Sequence, residues 1–187
     1  MRIKITSLLT LLALATTATA EEKVVWDPNC EPVNRAYAAT RSTDRYSVVL
    51  YQVSPSGDIK PHLEGRFTER AYFERDVSSS TGKWIQHSPP GWAIWDSKGP
   101  RFSECKIVGG VDGNSESGGH YTARWHGYPY EADAEIWISG GDKRLAKVVR
   151  RYRNGRWRFA FPNVLEVFNF DPASAAPPSE FEPKVVN

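Results

Sequence analysis

Short stretches in which apolar and polar side chains alternate recur along most of this chain, and each reads as a half-buried strand. The exception comes first: Val33, Ala36, Tyr37 and Thr40 fall at helical spacing, with Pro32 suited to a first turn, so Glu31–Arg41 is expected to be a short amphipathic helix. Arg45–Val53 has high strand propensity and ends in the turn residues Pro55-Ser56-Gly57-Asp58. His62–Asp76 alternates Leu63, Gly65, Phe67, Glu69, Ala71 and Phe73 against Glu64, Arg66, Thr68, Arg70, Tyr72 and Glu74, one face mainly apolar and the other wet, which predicts a strand in a hairpin with the first. Lys83–His87 reads as a short strand. Trp92 and Trp95 lie between two breaks, and their spacing fits either a helical turn or a strand. Phe102–Val108 is a further strand, Gly109–Gly119 a Gly/Ser/Asn/Asp loop, and His120–His126 alternates again.

From Tyr130 to Phe161 the pattern is an acidic strand, a basic strand and a second basic strand, a three-stranded meander joined at Gly140-Gly141 and Asn154-Gly155, both of which supply tight-turn backbone. Alternation puts Glu131, Asp133, Glu135 and Trp137 on one face of the first strand and Ala132, Ala134, Ile136 and Ile138 on the other. If Ser139 pairs with Arg144 across a four-residue loop, Asp133 lies opposite Arg150. A two-residue loop brings Glu131 opposite Arg150 instead. Val164–Phe170 closes the pattern as a last strand. The expected fold class is mainly β: a single curved antiparallel sheet, or half-barrel meander, packed on one helix.

Domain limits follow from composition. Residues 1–20 carry Arg2 and Lys4, an apolar run from Leu8 to Ala15 and small residues up to Ala20, the pattern of a secretory signal cleaved after Ala20. Residues 21–171 form one β-rich domain. Residues 172–187, rich in Pro, Ala and Ser, are expected to be disordered. No stretch reaches the roughly 20 apolar residues of a membrane span. The expected location is the periplasm or the exterior, without a lipid anchor.

Charge refines this picture. The chain has 24 basic and 22 acidic residues, and loss of Arg2 and Lys4 with the signal leaves the two signs equal. A neutral mature chain gives no general affinity for nucleic acid. Locally the balance is different. Eight cations and no carboxylate lie between Lys143 and Arg158, so Arg150, Arg151, Arg153, Arg156 and Arg158 outnumber their neighbours' acids. The surplus reads either as a solvated sheet face or as a surface for an anionic partner such as a lipid headgroup, an acidic glycan or an acidic envelope protein. Trp137 and Trp157 are the aromatic residues within that surface.

Cys30 and Cys105 are the two cysteines, and in an exported chain they predict a disulfide that pins the helix entry to the strand around Cys105. His62, His87, His120 and His126 show no metal-ligand spacing, and no cofactor motif is present. No Gly-x-Ser-x-Gly elbow appears. Convergent carboxylates among Glu64, Glu69, Glu104 and Asp112 are compatible with catalysis but are not favoured by spacing. Most tryptophans, Trp84, Trp92, Trp95, Trp125, Trp137 and Trp157, are expected in the core, with a minority lining a cavity.

The order of a short N-terminal helix, long antiparallel strands, WIS-GGDKRLAKVVRRY and a terminal strand ending VFNFD resembles the half-barrel of periplasmic lipoprotein-carrier and lipid-binding proteins, over about Val24 to Asp171. The resemblance implies a curved sheet, and no functional residue is carried over from it one by one. The functional expectation is therefore an exported envelope protein, non-enzymatic, that binds an amphiphilic or anionic ligand or a partner through its sheet. The alternatives are a structural or interaction module without a small ligand, and a small envelope hydrolase.

Overall fold

The computed structural model describes residues 24–88, 95–96, 99–109, 118–155 and 159–181. The expected signal segment, Trp92, most of the stretch Gly109–Gly119 expected to be a loop, and Arg156, Trp157 and Arg158 lie outside the described residues. A 3-10 turn at Pro28–Cys30 leads into α1 (Glu31–Arg41), as the spacing predicts. The strands are β1 (Tyr46–Val53), β2 (Ile59–Phe67), β3 (Tyr72–Asp76), β4 (Ile85–His87), β5 (Trp95–Asp96), β6 (Gly99–Pro100), β7 (Phe102–Gly109), β8 (His120–Gly127), β9 (Tyr130–Ile138), β10 (Leu145–Tyr152) and β11 (Asn163–Asn169). Nine of them form one open antiparallel sheet in the order β4-β3-β2-β1-β11-β10-β9-β8-β7, while β5 and β6 pair separately. The fold is thus mainly β, one large sheet with one N-terminal helix packed on it.

Helix α1 buries Val33, Ala36, Tyr37 and Thr40, and the Thr40 hydroxyl accepts a hydrogen bond from the Leu145 amide of β10 at 2.8 Å. One helical turn apart, Tyr37 meets Phe102 of β7 (5.6 Å between rings) and the Arg41 guanidinium lies over Phe67 of β2 at 5.5 Å. In a flat sheet these strands, six spacings apart, would be separated by about 29 Å, far more than the roughly 10–12 Å width of a helix. The sheet therefore curls around α1. Its inner face is filled by Tyr46, Phe102, Ile136, Leu145 and Val148 together with the helix residues. Of the tryptophans expected in this core, Trp125 packs against it while partly exposed, whereas Trp84 and Trp137 are partly exposed and do not belong to it. Tyrosine and phenylalanine supply its buried rings.

The disulfide is present as expected, Cys30 to Cys105, with the two Cα atoms 5.0 Å apart. It fixes the helix entry to the edge strand β7.

Other expectations need correction. The stretch His62–Asp76 is two strands, not one, because Thr68 turns the chain: its amide donates to the Ala71 carbonyl and its hydroxyl accepts from the Ala71 amide. The next strand begins at Ile85, later than Lys83. The second basic strand of the expected meander is not formed at the described residues 159–161, and β10 pairs with β11 instead. The tail expected to be disordered is structured to Phe181. Ser174 bonds Ser47 at 2.9 Å, Arg66 donates to the Ala176 carbonyl, Ala175 is fully buried, and Phe181 packs on Phe73. Hydrogen bonds to the outer face of β1–β3 supply what the segment lacks in apolar side chains.

The β9–β10 hairpin has the four-residue loop, with the Ser139 amide donating to the Arg144 carbonyl at 2.8 Å. Asp142 inside the loop accepts from Ser139 and Arg144. Burial opposes its ionisation, but those hydrogen bonds prevail and bring its carboxyl down to about 2. Beyond the loop the register slips: Leu145 pairs with Ile138 but Lys147 pairs with Trp137, so Ala146 is an extra residue. This bulge is decisive for the charges. A slip of one residue sends every later side chain to the other face, so Asp133 lies opposite Arg151, not Arg150.

Candidate functional site

On the outer face, away from α1, the strands β7 to β10 carry polar and charged side chains, while β11 and β1 contribute Asn163 and Val53. Together they line a groove of about 460 Å³. Its cations are Lys106, Arg124, Arg151 and Arg153, and its carboxylates are Glu104, Asp133 and Glu135. Asp133 is the hub. Arg153 donates to it twice, at 2.6 and 2.9 Å, Arg124 lies at 3.8 Å, and Arg151 is its cross-strand partner. The Arg153 hydrogen bond, reinforced by the charges of Arg153, Arg124 and Arg151, holds the Asp133 carboxyl below its usual range, and the same bond raises the Arg153 guanidinium.

The other carboxylates are engaged as well. Glu135 pairs with His120 at 2.7 Å, and Glu104 faces Arg124 at 3.6 Å. Arg151 and Lys106 form no ion pair with another described residue. They stand three strands apart, about 14 Å at ordinary strand spacing. The groove therefore offers cations spread along a line, with one side neutralised internally.

The sequence-predicted residues divide between the faces. Arg151 and Arg153 line the groove. Arg150 does not: it is 5% exposed on the inner face, ion-paired to Glu166 of β11 and stacked over Trp125 at 4.5 Å. The expectation of a surface role for Arg150 is thereby corrected, and the cause is the bulge at Ala146. Trp137 shares the outer face but lies outside the groove, held between His120 (4.4 Å) and the Lys147 ammonium (3.6 Å). Arg156, Trp157 and Arg158 lie outside the described residues.

Arg124 and Lys106 escaped the sequence reading. Alternation along His120–His126 places Arg124 on one face with Thr122 and two histidines, but only the pairing of Arg124 with Asp133 shows that this face joins the basic hairpin. Among the described residues no group of three His, Cys, Asp or Glu side chains is arranged to hold a metal ion, and no helix is long and apolar enough to cross a membrane. No protein-family model matches the chain, and no curated protein matches it.

Proposed function

We propose that this is an exported protein, periplasmic or secreted, whose outer sheet face binds an extended polyanionic ligand. The observation that carries the reading is the groove of Lys106, Arg124, Arg151 and Arg153 in which the carboxylates already have partners, leaving Arg151 and Lys106 to meet anionic groups some 14 Å apart. That spacing suits repeated acidic groups, as in an acidic polysaccharide or an array of phospholipid headgroups, better than one small anion. The disulfide and the N-terminal sequence support export. The resemblance to half-barrel lipid carriers is in keeping with a binding role, although the inner face is occupied by packed side chains.

Two arms distinguish the sources of such a ligand. Binding is measured at low salt to a soluble polyuronate and to vesicles with or without phosphatidylglycerol. Binding in either arm should weaken about tenfold or more in Arg151→Gln combined with Lys106→Gln, and should fall steeply with salt. Unchanged binding in the double variant, or no binding to either probe, would sink the reading.

A further inference from the structure

A second groove, of about 550 Å³, adjoins the first across Arg124 and Glu104. One wall is the N-terminal segment Val24–Pro28, which runs past β6 and β7. It is held there by Asp27, which accepts the Cys105 amide at 3.1 Å, and by a close approach at Gly99, where any Cβ would stand 2.8 Å from the Val24 carbonyl oxygen. The floor comes from three neighbouring strands. Ser103 of β7 bonds through Oγ to His126 Nε2 of β8 at 2.9 Å, and His126 Nδ1 faces Glu131 Oε1 of β9 at 4.0 Å.

We propose that Ser103, His126 and Glu131 form a nucleophile, general base and orienting carboxylate for hydrolysis of a carboxylic ester. This activity is independent of the polyanion reading. The constellation meets the geometric tests for such a set: nucleophile and base within hydrogen-bond reach, and a carboxylate on the far ring nitrogen at a distance that rotation of the half-exposed Glu131 side chain closes. The imidazole is held by its own backbone, since the His126 amide donates to the Arg101 carbonyl at 2.8 Å and Arg101 donates back to the His126 carbonyl. Glu104, the residue after the serine, has a φ of 54°, the kind of strained backbone that recurs beside nucleophiles. Arg124 lies directly opposite Ser103 in the strand pairing, its guanidinium 3.6 Å from Glu104 and 3.8 Å from Asp133. With those loose contacts it has N–H groups to donate to a developing oxyanion. Val25, 77% exposed, and Trp26 give the groove an apolar side for the acyl group.

The chemistry runs in two halves. The Ser103 oxygen attacks the ester carbonyl as its proton passes to His126 Nε2, and the carbonyl electron pair moves onto the oxygen beside Arg124. Collapse breaks the carbon–oxygen bond to the alcohol, which leaves with the proton from His126 and strands the acyl group on Ser103. Water then attacks that acyl carbon, giving a proton to His126. Release of the carboxylic acid returns the proton to Ser103.

The test uses the full mature protein with its disulfide intact. A fluorophosphonate probe is followed by peptide mass spectrometry, alongside p-nitrophenyl butyrate hydrolysis. The expected result is a single adduct on Ser103, hydrolysis above the buffer rate that disappears in Ser103→Ala, and labelling slowed about a hundredfold in His126→Asn. Glu131→Gln should lower kcat about tenfold at unchanged KM. This surface variant decides the matter if His126→Asn does not fold. No adduct on Ser103, or labelling at the wild-type rate in the folded His126 or Glu131 variant, overturns the proposal.

Discussion

Replacing Glu166 with Gln should be among the most costly single changes in the protein, although it alters neither shape nor volume. Arg150 and Glu166 are 5% and 6% exposed, on adjacent strands, and their side chains are ion-paired. Removing the charge from one partner leaves the guanidinium buried opposite a neutral amide, with the face of Trp125 and a hydrogen bond to the Tyr152 hydroxyl as compensation. Breaking a buried pair in this way costs about 3–5 kcal/mol. For a chain of this size that corresponds to a fall in melting temperature of roughly 10 °C. Urea unfolding followed by tryptophan fluorescence gives the free energy directly, and an unchanged m-value shows that the folded state is intact. Had β10 run without its bulge, Arg150 would face solvent and its partner's charge would matter by about 0.5 kcal/mol or less. A cost below about 1 kcal/mol for Glu166→Gln would therefore refute both the buried pair and the register that creates it. The double variant Arg150→Met, Glu166→Leu completes the cycle. It should recover most of the loss, because two apolar side chains leave no charge stranded.

Three further outcomes follow from the same interior. Burial pushes the Tyr46 hydroxyl up to about 12 against the opposing pull of Arg41, whereas in the unfolded chain it ionises near 10. The folded state then retains its proton while the unfolded state loses one. Stability should accordingly fall by on the order of 3 kcal/mol between pH 10 and 12, and Tyr46→Phe should flatten that decline in alkaline unfolding curves. Asn34 is 1% exposed, and neither its amide nitrogen nor its oxygen has a hydrogen-bond partner among the described residues, so Asn34→Leu should raise stability by about 1 kcal/mol in urea titrations. Replacing Cys30 and Cys105 together by Ala opens a loop spanning 75 residues and should cost about 4 kcal/mol, read as a lower denaturant midpoint that no longer responds to reductant.

The elements governed by local pattern were legible in the sequence. Val33, Ala36, Tyr37 and Thr40 announce α1, the two cysteines announce their bridge, and the alternation of β8 and β9 separates inner from outer side chains correctly. What depends on geometry beyond the strand was not. Ala146 is an ordinary residue in a basic run, and nothing in its type marks it as the extra residue that exchanges Arg150 for Arg151 on the outer face. The turn at Thr68 lacks the glycine or proline that would have announced it, so β2 and β3 read as one. Ser103, His126 and Glu131 lie on separate strands, and Ser103 reaches His126 through a diagonal contact across a bulged pairing, which no linear spacing encodes.

The pairing of β1 with β11 also bears on how the chain reaches its folded state. Every other contact within the large sheet joins strands that follow one another in the chain, but this one joins Ser47–Val53 to Asn163–Asn169. Until the final strand is available, β1 and β10 both present unpaired edges, and the two wings of the sheet are joined through α1 and its disulfide and not by strand pairing. Closing such a long loop is slow, and the open edges invite pairing between molecules in the meantime. A chain of this topology cannot complete its sheet until its C-terminal strand has been made, so the seam between β1 and β11 closes only when nearly the whole polypeptide is available.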